Sequence, residues 1–86
     1  MSLRADWVNS LKEKRAVVKG ITGKTGNKFN VSIAETGSMD SHKDIEIGFS
    51  CVTNETRHAQ SILQNVISFI ESNTEAVVTD VQTEIF

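Results

Sequence analysis

The 86-residue sequence lacks three features, and each absence excludes a class of protein. It has one cysteine, Cys51, so an internal disulfide framework is excluded. No apolar run approaches the ~20 residues that span a bilayer, and the first ten residues lack the apolar core of a signal peptide. We therefore expect a cytoplasmic chain with no membrane partner. The hydrophobic fraction of 38% and the charged fraction of 23% are ordinary for a folded protein, and we predict a single domain over residues 1–86.

The charged residues are distributed unevenly along the chain. Nine Lys and Arg against 11 Asp and Glu give a formal charge of −2, which by itself argues against a general nucleic-acid binder. Residues 1–28, however, hold seven of the basic residues and only two acidic ones, a charge of +5. The remaining residues hold two basic and nine acidic ones, a charge of −7. Any proposed function has to account for this polarity.

Strand and helix periods alternate along the chain. Residues 3–8 alternate as a half-buried strand, and Ser10 with Glu13 forms a capping box that starts a helix at Leu11. Three glycines within residues 20–26 predict that this helix ends there. The later elements follow in order: a strand at 29–34, a loop at 36–43, a strand at 45–51, a helix capped by Asn54 that ends at Asn73, and a strand marked by Val77, Val81 and Ile85.

The order β-α-β-β-α-β predicts an α+β fold of the ferredoxin-like kind. Two split βαβ units give a four-stranded antiparallel sheet with both helices on one face. The helices should cover the face of Ile45, Ile47 and Phe49, and Trp7 is expected in the core. The opposite face should carry ten polar side chains, with five acids against one arginine: Arg4, Asp6, Asn30, Ser32, Asp44, Glu46, Ser50, Asp80, Gln82 and Glu84. This negative face lacks the paired aromatics on which RNA-recognition sheets stack bases, so RNA binding through the sheet is disfavoured.

Four segments resemble the YlxP-like family of small bacterial proteins, a domain of unknown function: SLKEKRAVVKG at 10–20, KFNVSIAETG at 28–37, IGFSCVTNE at 47–55 and ILQNVISFIE at 62–71. The resemblance covers nearly the whole chain and implies a ferredoxin-like fold. Because genes of this family lie near translation-factor and ribosome-maturation genes in many bacteria, it also implies a role around the ribosome, but no activity. The chain departs from the family in two places. The family usually has a longer first strand before the position of Ser10, and a continuous, more basic helical end at residues 20–28.

The first helix carries the main candidate for a binding site. Lys12, Arg15 and Lys19 fall together on a side adjacent to the apolar one, a spacing that suits contacts to successive phosphates. Lys24 and Lys28 follow in the glycine-rich loop predicted after the helix. The alternative is an ordinary solvated helix face.

Lys14 projects to the middle of the apolar side of the same helix. Because an unpaired buried ammonium is costly, it should reach solvent at the edge or meet the carboxylate of Glu35 or Asp6. We predict a structural ion pair of Lys14 with Glu35 rather than a catalytic lysine.

Three weaker patterns predict no site. GKTG at 23–26 lacks the earlier glycine and the preceding strand of a P-loop, and a strand instead of a helix should follow, unlike in a KH-type GxxG clamp; the alternative is a helix-ending turn. Cys51 is expected to be a small buried hydrophobe. Four residues around one loop match no known metal cage: Glu35, Asp40, His42 and Asp44.

Two functions stay open. Since nothing assembles a nucleophile, a base and an orienting group, we predict a non-catalytic protein with no cofactor, metal or small-molecule substrate. It is either an accessory protein of translation or ribosome maturation that contacts ribosomal RNA or a ribosomal particle, or a protein-interaction or self-associating module. The module, as a homodimer for example, would use a sheet edge and complementary acidic and basic faces. The RNA contacts would come from the first helix and the glycine loop: Lys12, Arg15, Lys19, Lys24 and Lys28.

Overall fold

A computed structural model describes residues 1–84. The elements are β1 (Ser2–Arg4), α1 (Leu11–Lys28), β2 (Ser32–Gly37), β3 (Asp44–Ser50), α2 (Thr56–Asn73) and β4 (Val77–Asp80). The strands form one sheet in the order β2-β3-β1-β4, and each neighbouring pair is antiparallel. The predicted α+β fold is confirmed, with the ferredoxin-like layout.

Both helices pack on one face of the sheet, where the core lies. The Phe29 and Phe69 rings meet edge to face with centroids 5.4 Å apart, which ties the end of α1 to α2. The core side chains come from the central strands and from both helices: Leu3, Ile45, Ile47, Val18, Ile21, Val66 and Ile70. The ten polar side chains predicted on the other face are all exposed: Arg4, Asp6, Asn30, Ser32, Asp44, Glu46, Ser50, Asp80, Gln82 and Glu84.

Helix α1 begins where the sequence predicts. Ser10 is its N-cap, with an extended backbone at φ −149° and ψ 159°. The Ser10 Oγ accepts a hydrogen bond of 3.1 Å from the Glu13 N–H, which satisfies one of the free donors of the first turn.

The predicted end of α1 is wrong. The helix continues through all three glycines to Lys28, so the glycine loop predicted there does not exist. Each glycine costs an exposed helix about 1 kcal/mol relative to alanine. The helix nevertheless continues because its buried stripe does, with four side chains at helical spacing that extend past Gly20 and Gly23: Lys14, Val18, Ile21 and Thr25.

Strand β1 is shorter than the alternation of residues 3–8 predicts. The chain reverses after Ala5, and the Val8 N–H donates to the Ala5 carbonyl at 3.2 Å. Ala5 and Val8 are both fully buried, while Trp7 between them is 45% exposed. The prediction that Trp7 belongs to the core is therefore wrong, because the turn points the two residues at its ends inward instead.

Three other elements differ from the prediction in detail. Strand β2 runs from Ser32 to Gly37, whereas the sequence predicts a strand at 29–34 and a loop from 36. Helix α2 has Glu55 as its N-cap, one residue after the predicted Asn54. In β4, Val77 pairs opposite Arg4 and is 62% exposed, whereas Val78 pairs opposite Leu3 and packs on the core. The sequence pattern predicted that Val77 faces the core. That prediction is wrong, because the next residue, Val78, faces the core instead. Ile85, predicted in the same strand, lies outside the described residues.

Within residues 1–84, neither helix has the combination of length and apolar character needed to cross a membrane.

Candidate nucleic-acid interface

Three basic side chains form a stripe along the exposed side of α1. Lys12, Arg15 and Lys19 are all exposed. At 100° per residue they fall within about 60° of each other around the helix axis and extend over roughly 10 Å along it. The buried stripe of α1 is centred about 120° away around the helix axis, and the three charges are directed to solvent. This arrangement, the basic stripe, is compatible with contacts to consecutive phosphates.

Lys24 and Lys28 do not join the basic stripe. Both are exposed, but they lie within α1 and not in a loop after it. The helical period places Lys24 about 120° from Lys12 and Lys28 about 180° from Lys19. The structure therefore separates the five predicted phosphate contacts into three on one side of α1 and two on another.

Small exposed residues lie between these two groups of charges. A Cβ added at Gly20 or Gly23 would meet no atom of the described chain within 4 Å. Packing within the protein therefore does not require a glycine at either position. The small exposed residues on the side of α1 between the basic stripe and Lys24 are Ala16, Gly20, Gly23 and Asn27.

Lys14 lies inside the protein, between α1 and the sheet. It is 1% exposed, its Nζ lies 3.1 Å from Glu35 Oε2, and it donates a hydrogen bond to the Ser38 carbonyl. Within residues 1–84 the Glu35 Oε2 accepts no hydrogen bond, so the contact with Lys14 is an ion pair whose angles are poor for hydrogen bonding. Asp6, the other partner considered, pairs with Arg4 instead.

The Lys14 contacts fasten α1 to the edge of the sheet. Ser38 has a left-handed backbone with φ 55°, and its carbonyl also accepts from the Ser41 N–H at 3.0 Å. The lysine thus connects α1, strand β2 through Glu35, and the loop between β2 and β3. Because its ammonium is enclosed and engaged, it is positioned for a structural role.

Arg4 joins two carboxylates at the end of the sheet where α1 begins. Its Nε lies 2.9 Å from Asp6 Oδ1 and its Nη1 lies 2.8 Å from Asp44 Oδ1. The hydrogen bond from Arg4 lowers the pKa of Asp44, and the bonds to Asp44 and Asp6 raise the pKa of Arg4.

The other predicted candidates are dispersed. Asp40 and His42 are exposed in the loop before β3, and within residues 1–84 no group of three His, Cys, Asp or Glu side chains is arranged to hold a metal ion. Cys51 is half-buried and lines a cleft of about 700 Å³ that also includes Thr56 and Leu63 of α2.

The turn at residues 5–8, hereafter the Trp7 turn, is a candidate that the sequence pattern did not predict. Lys43 Nζ donates to the carbonyls of Asp6 and Val8, the residues on either side of Trp7, with 2.9 Å to Val8. The Ala5 N–H donates to the Lys43 carbonyl at 2.8 Å. No local signal could have found this turn, because the alternation of residues 3–8 fits a strand and Lys43, which closes the turn, is distant in sequence.

A four-stranded antiparallel sheet, two helices on one face and an exposed basic stripe define a small ferredoxin-like α+β protein. The chain belongs to the family described as "Protein of unknown function (DUF503)", whose model matches residues 1–83. It is similar to the uncharacterized protein YlxP of Bacillus subtilis (strain 168), with 43% identity over 77 residues that cover 90% of this chain and 84% of that protein. The resemblance to the YlxP-like family is confirmed.

Proposed function

We propose that this protein is a non-catalytic accessory protein of translation or ribosome maturation, and that it binds structured ribosomal RNA through the basic stripe. The observation that carries the proposal is the stripe itself: three exposed cations on one side of α1, in a protein whose formal charge is −2. The opposite face of the sheet carries acidic residues, so a polyanion would approach along α1.

The charges of the stripe are not neutralised by ion pairs within residues 1–84. The pairs there are Arg4 with Asp6 and Asp44, and Lys14 with Glu35. Each phosphate contact releases condensed counterions and contributes about 0.7 to 0.9 to the slope of log affinity against log salt. Three contacts give a slope of roughly 2 to 3, so binding should be moderate and strongly dependent on salt.

Fluorescence anisotropy with labelled fragments of ribosomal RNA, at low and moderate salt, tests the proposal. Changing Lys12, Arg15 and Lys19 together to alanine should remove most of the affinity and most of the salt slope. Wild-type affinity in this triple variant would contradict the proposal.

A matched control comes from the other side of the same helix. The variants Lys12→Ala/Lys19→Ala and Lys24→Ala/Lys28→Ala each remove two exposed positive charges from α1. The first should weaken RNA binding much more than the second. Equal losses would mean that RNA responds to the total charge of α1 and not to the stripe.

The absence of catalysis is part of the same proposal. Lys14 is enclosed by its ion pair, Cys51 is half-buried on the segment after β3, and His58 is exposed on α2. Without a nucleophile beside a base, the chemistry that these residues support is binding.

A second function is favoured by a specific observation at the sheet edge. Strand β2 lies at one end of the strand order and pairs with β3 alone among the described strands. Its other edge offers backbone groups for pairing with another chain, which supports a protein-interaction or self-associating module.

A further inference from the structure

We propose that Trp7 is a stacking platform for an unpaired RNA base, placed beside the phosphates that the basic stripe would hold. This inference rests on the proposed function and names its substrate class: RNA with unpaired nucleotides, such as a loop, a bulge or a single-stranded end.

The Trp7 turn holds the residue in place from both sides. Ala5 and Val8 are 0% exposed, so the two ends of the turn are anchored in the core. Lys43 Nζ donates to the carbonyl before Trp7 and to the one after it, and Arg4 Nε lies 2.9 Å from Asp6 Oδ1. The backbone of Trp7 is therefore fixed while its side chain stays 45% exposed, which lowers the entropy cost of ordering it on a ligand.

An exposed tryptophan in this position is not explained by packing. The turn is complete without the indole, since its hydrogen bonds are formed by the backbone and Lys43. A large aromatic side chain that is partly exposed on a fixed backbone is typical of a binding contact, because ordering it on a ligand costs little conformational entropy.

The positive charge of α1, and not the charge beside Trp7, favours RNA as the occupant. The charges next to the turn balance, with Arg4 and Lys43 against Asp6 and Asp44. The net positive charge lies on α1, whose N-cap is Ser10, three residues after Trp7. Arg15 follows that cap by about 7.5 Å along the helix axis. The Trp7 turn therefore leads directly into the half of α1 that carries the basic stripe.

Unpaired bases fit this combination better than a duplex does. In a paired helix the base faces are stacked on each other, whereas loops and bulges can present a base to an aromatic side chain. Stacking is tolerant of sequence because every base has a π-face, and the phosphates on either side supply the charge for the stripe. The sheet face, which lacks paired aromatics, does not offer this contact.

The protein contains its own reporter for this contact. Trp7 is the only tryptophan and the chain has no tyrosine, so emission excited at the indole band comes from Trp7 alone. The probes are a single-stranded oligouridine and a blunt-ended, fully paired RNA duplex with the same number of phosphates. The single strand should quench Trp7 emission at low salt, and the duplex should not.

Variants separate stacking from charge. Trp7→Ala should weaken binding of the oligouridine roughly tenfold and leave that of the duplex unchanged. Trp7→Phe should keep most of the affinity, since a phenyl ring also stacks. Val52→Ala, which truncates a fully exposed apolar side chain after β3, is the control and should change neither. The quenching experiment uses wild-type protein and does not depend on how the variants fold.

The outcomes distinguish this inference from the function on which it rests. Salt-dependent binding of both RNAs with unchanged Trp7 emission would overturn the stacking inference and leave the basic stripe standing. No binding of either RNA at low salt would overturn both. Trp7 emission that changes with protein concentration alone would place the indole in a protein contact, which also overturns stacking.

Discussion

The buried Lys14 is the residue whose energetics the structure defines best. Its ammonium contacts Glu35 and the Ser38 carbonyl while its side chain is only 2% exposed. Removing one partner of a buried ion pair leaves the other without compensation and typically costs 3–5 kcal/mol. Because Glu35 keeps 21% of its side chain exposed, water offsets part of that cost. We expect Lys14→Met to lower the free energy of unfolding by about 3 kcal/mol, measured by urea denaturation.

A double variant separates the charge from the packing. Lys14→Met/Glu35→Met removes both charges, so no buried charge is left without a partner. The double variant should therefore be more stable than Lys14→Met alone. If Lys14→Met matches wild type, the ammonium contributes nothing to stability. If the double variant is the less stable of the two, the loss comes from packing and not from an uncompensated carboxylate.

The contact of Asp44 with Arg4 makes the free energy of unfolding depend on pH in the acid range. Its pKa is lowered by the hydrogen bond from Arg4, so the folded state holds the proton more weakly than the unfolded chain does. The stability from this contact is present above the ordinary aspartate pKa of about 3.9 and is lost as pH falls through the lowered folded value. Asp44→Asn should therefore be less stable than wild type at neutral pH, and the gap should close as the pH falls below the ordinary aspartate range.

Urea midpoints at neutral and acid pH measure this gap. Asp40→Asn, which neutralises an exposed carboxylate of the loop before β3, is the control and should show no comparable loss of stability at neutral pH. A gap between Asp44→Asn and wild type that stays constant across the pH range would contradict the assignment.

Helix α1 shows how an element can continue against its own propensity. Gly20 and Gly23 lie in its exposed middle, and a Cβ at either would meet no described atom within 4 Å. Gly20→Ala and Gly23→Ala should each raise the free energy of unfolding by about 1 kcal/mol, or the melting temperature by roughly 4 to 8 °C. Thermal unfolding followed by circular dichroism measures the shift.

Gly48 in β3 is the matched control for these alanines. A Cβ there would lie 2.6 Å from Thr36 Cγ2, so Gly48→Ala should gain no stability. A loss of stability in the two helix variants, despite the open space, would show that α1 does not continue through its glycines in solution.

The same helix shows which parts of the fold were predictable from sequence. Its start was, because a capping box is local chemistry between Ser10 and Glu13. Its end was not, because the burial of Thr25, beyond Gly20 and Gly23, depends on the sheet beneath it. Strand β3 was also predictable, since strict alternation fixes its faces. The inward side of β4 was not, because it depends on pairing with β1.

The candidate site also has some features that the local sequence predicts and others that depend on the whole fold. The basic stripe follows from helical spacing alone, and so does the position of Lys14 inside the apolar side. The separation of Lys24 and Lys28 from the stripe required knowing where α1 ends. The exposure of Trp7 required knowing that Lys43, distant in sequence, closes the turn around it.

At the scale of the whole molecule, two features offer a contact to a partner. The basic stripe would bind RNA, and a free edge of the sheet would pair with another protein chain. Strand β2 is an edge, but its pairing with β3 shifts register between Glu35 and Gly37. A bulge of this kind twists an edge and interrupts its row of free backbone groups. The Glu46 carboxylate also lies against Gly37, where a Cβ would overlap its Oε2, so a charge sits at this edge.

These features favour a monomer over a protein that pairs through its sheet. We expect sedimentation at increasing protein concentration to show a single monomeric species at low and at moderate salt. Attraction between the basic stripe and the acidic face should not be sufficient, because exposed ion pairs are weak and are screened by salt. A dimer that dissociates as salt rises, and that is lost when Lys12, Arg15 and Lys19 become alanine, would mean that these faces bind each other. A dimer that persists in that variant would place the contact elsewhere, for example at β2 or β4, the two edge strands of the sheet. In either case the protein-interaction function would replace RNA binding as the leading proposal.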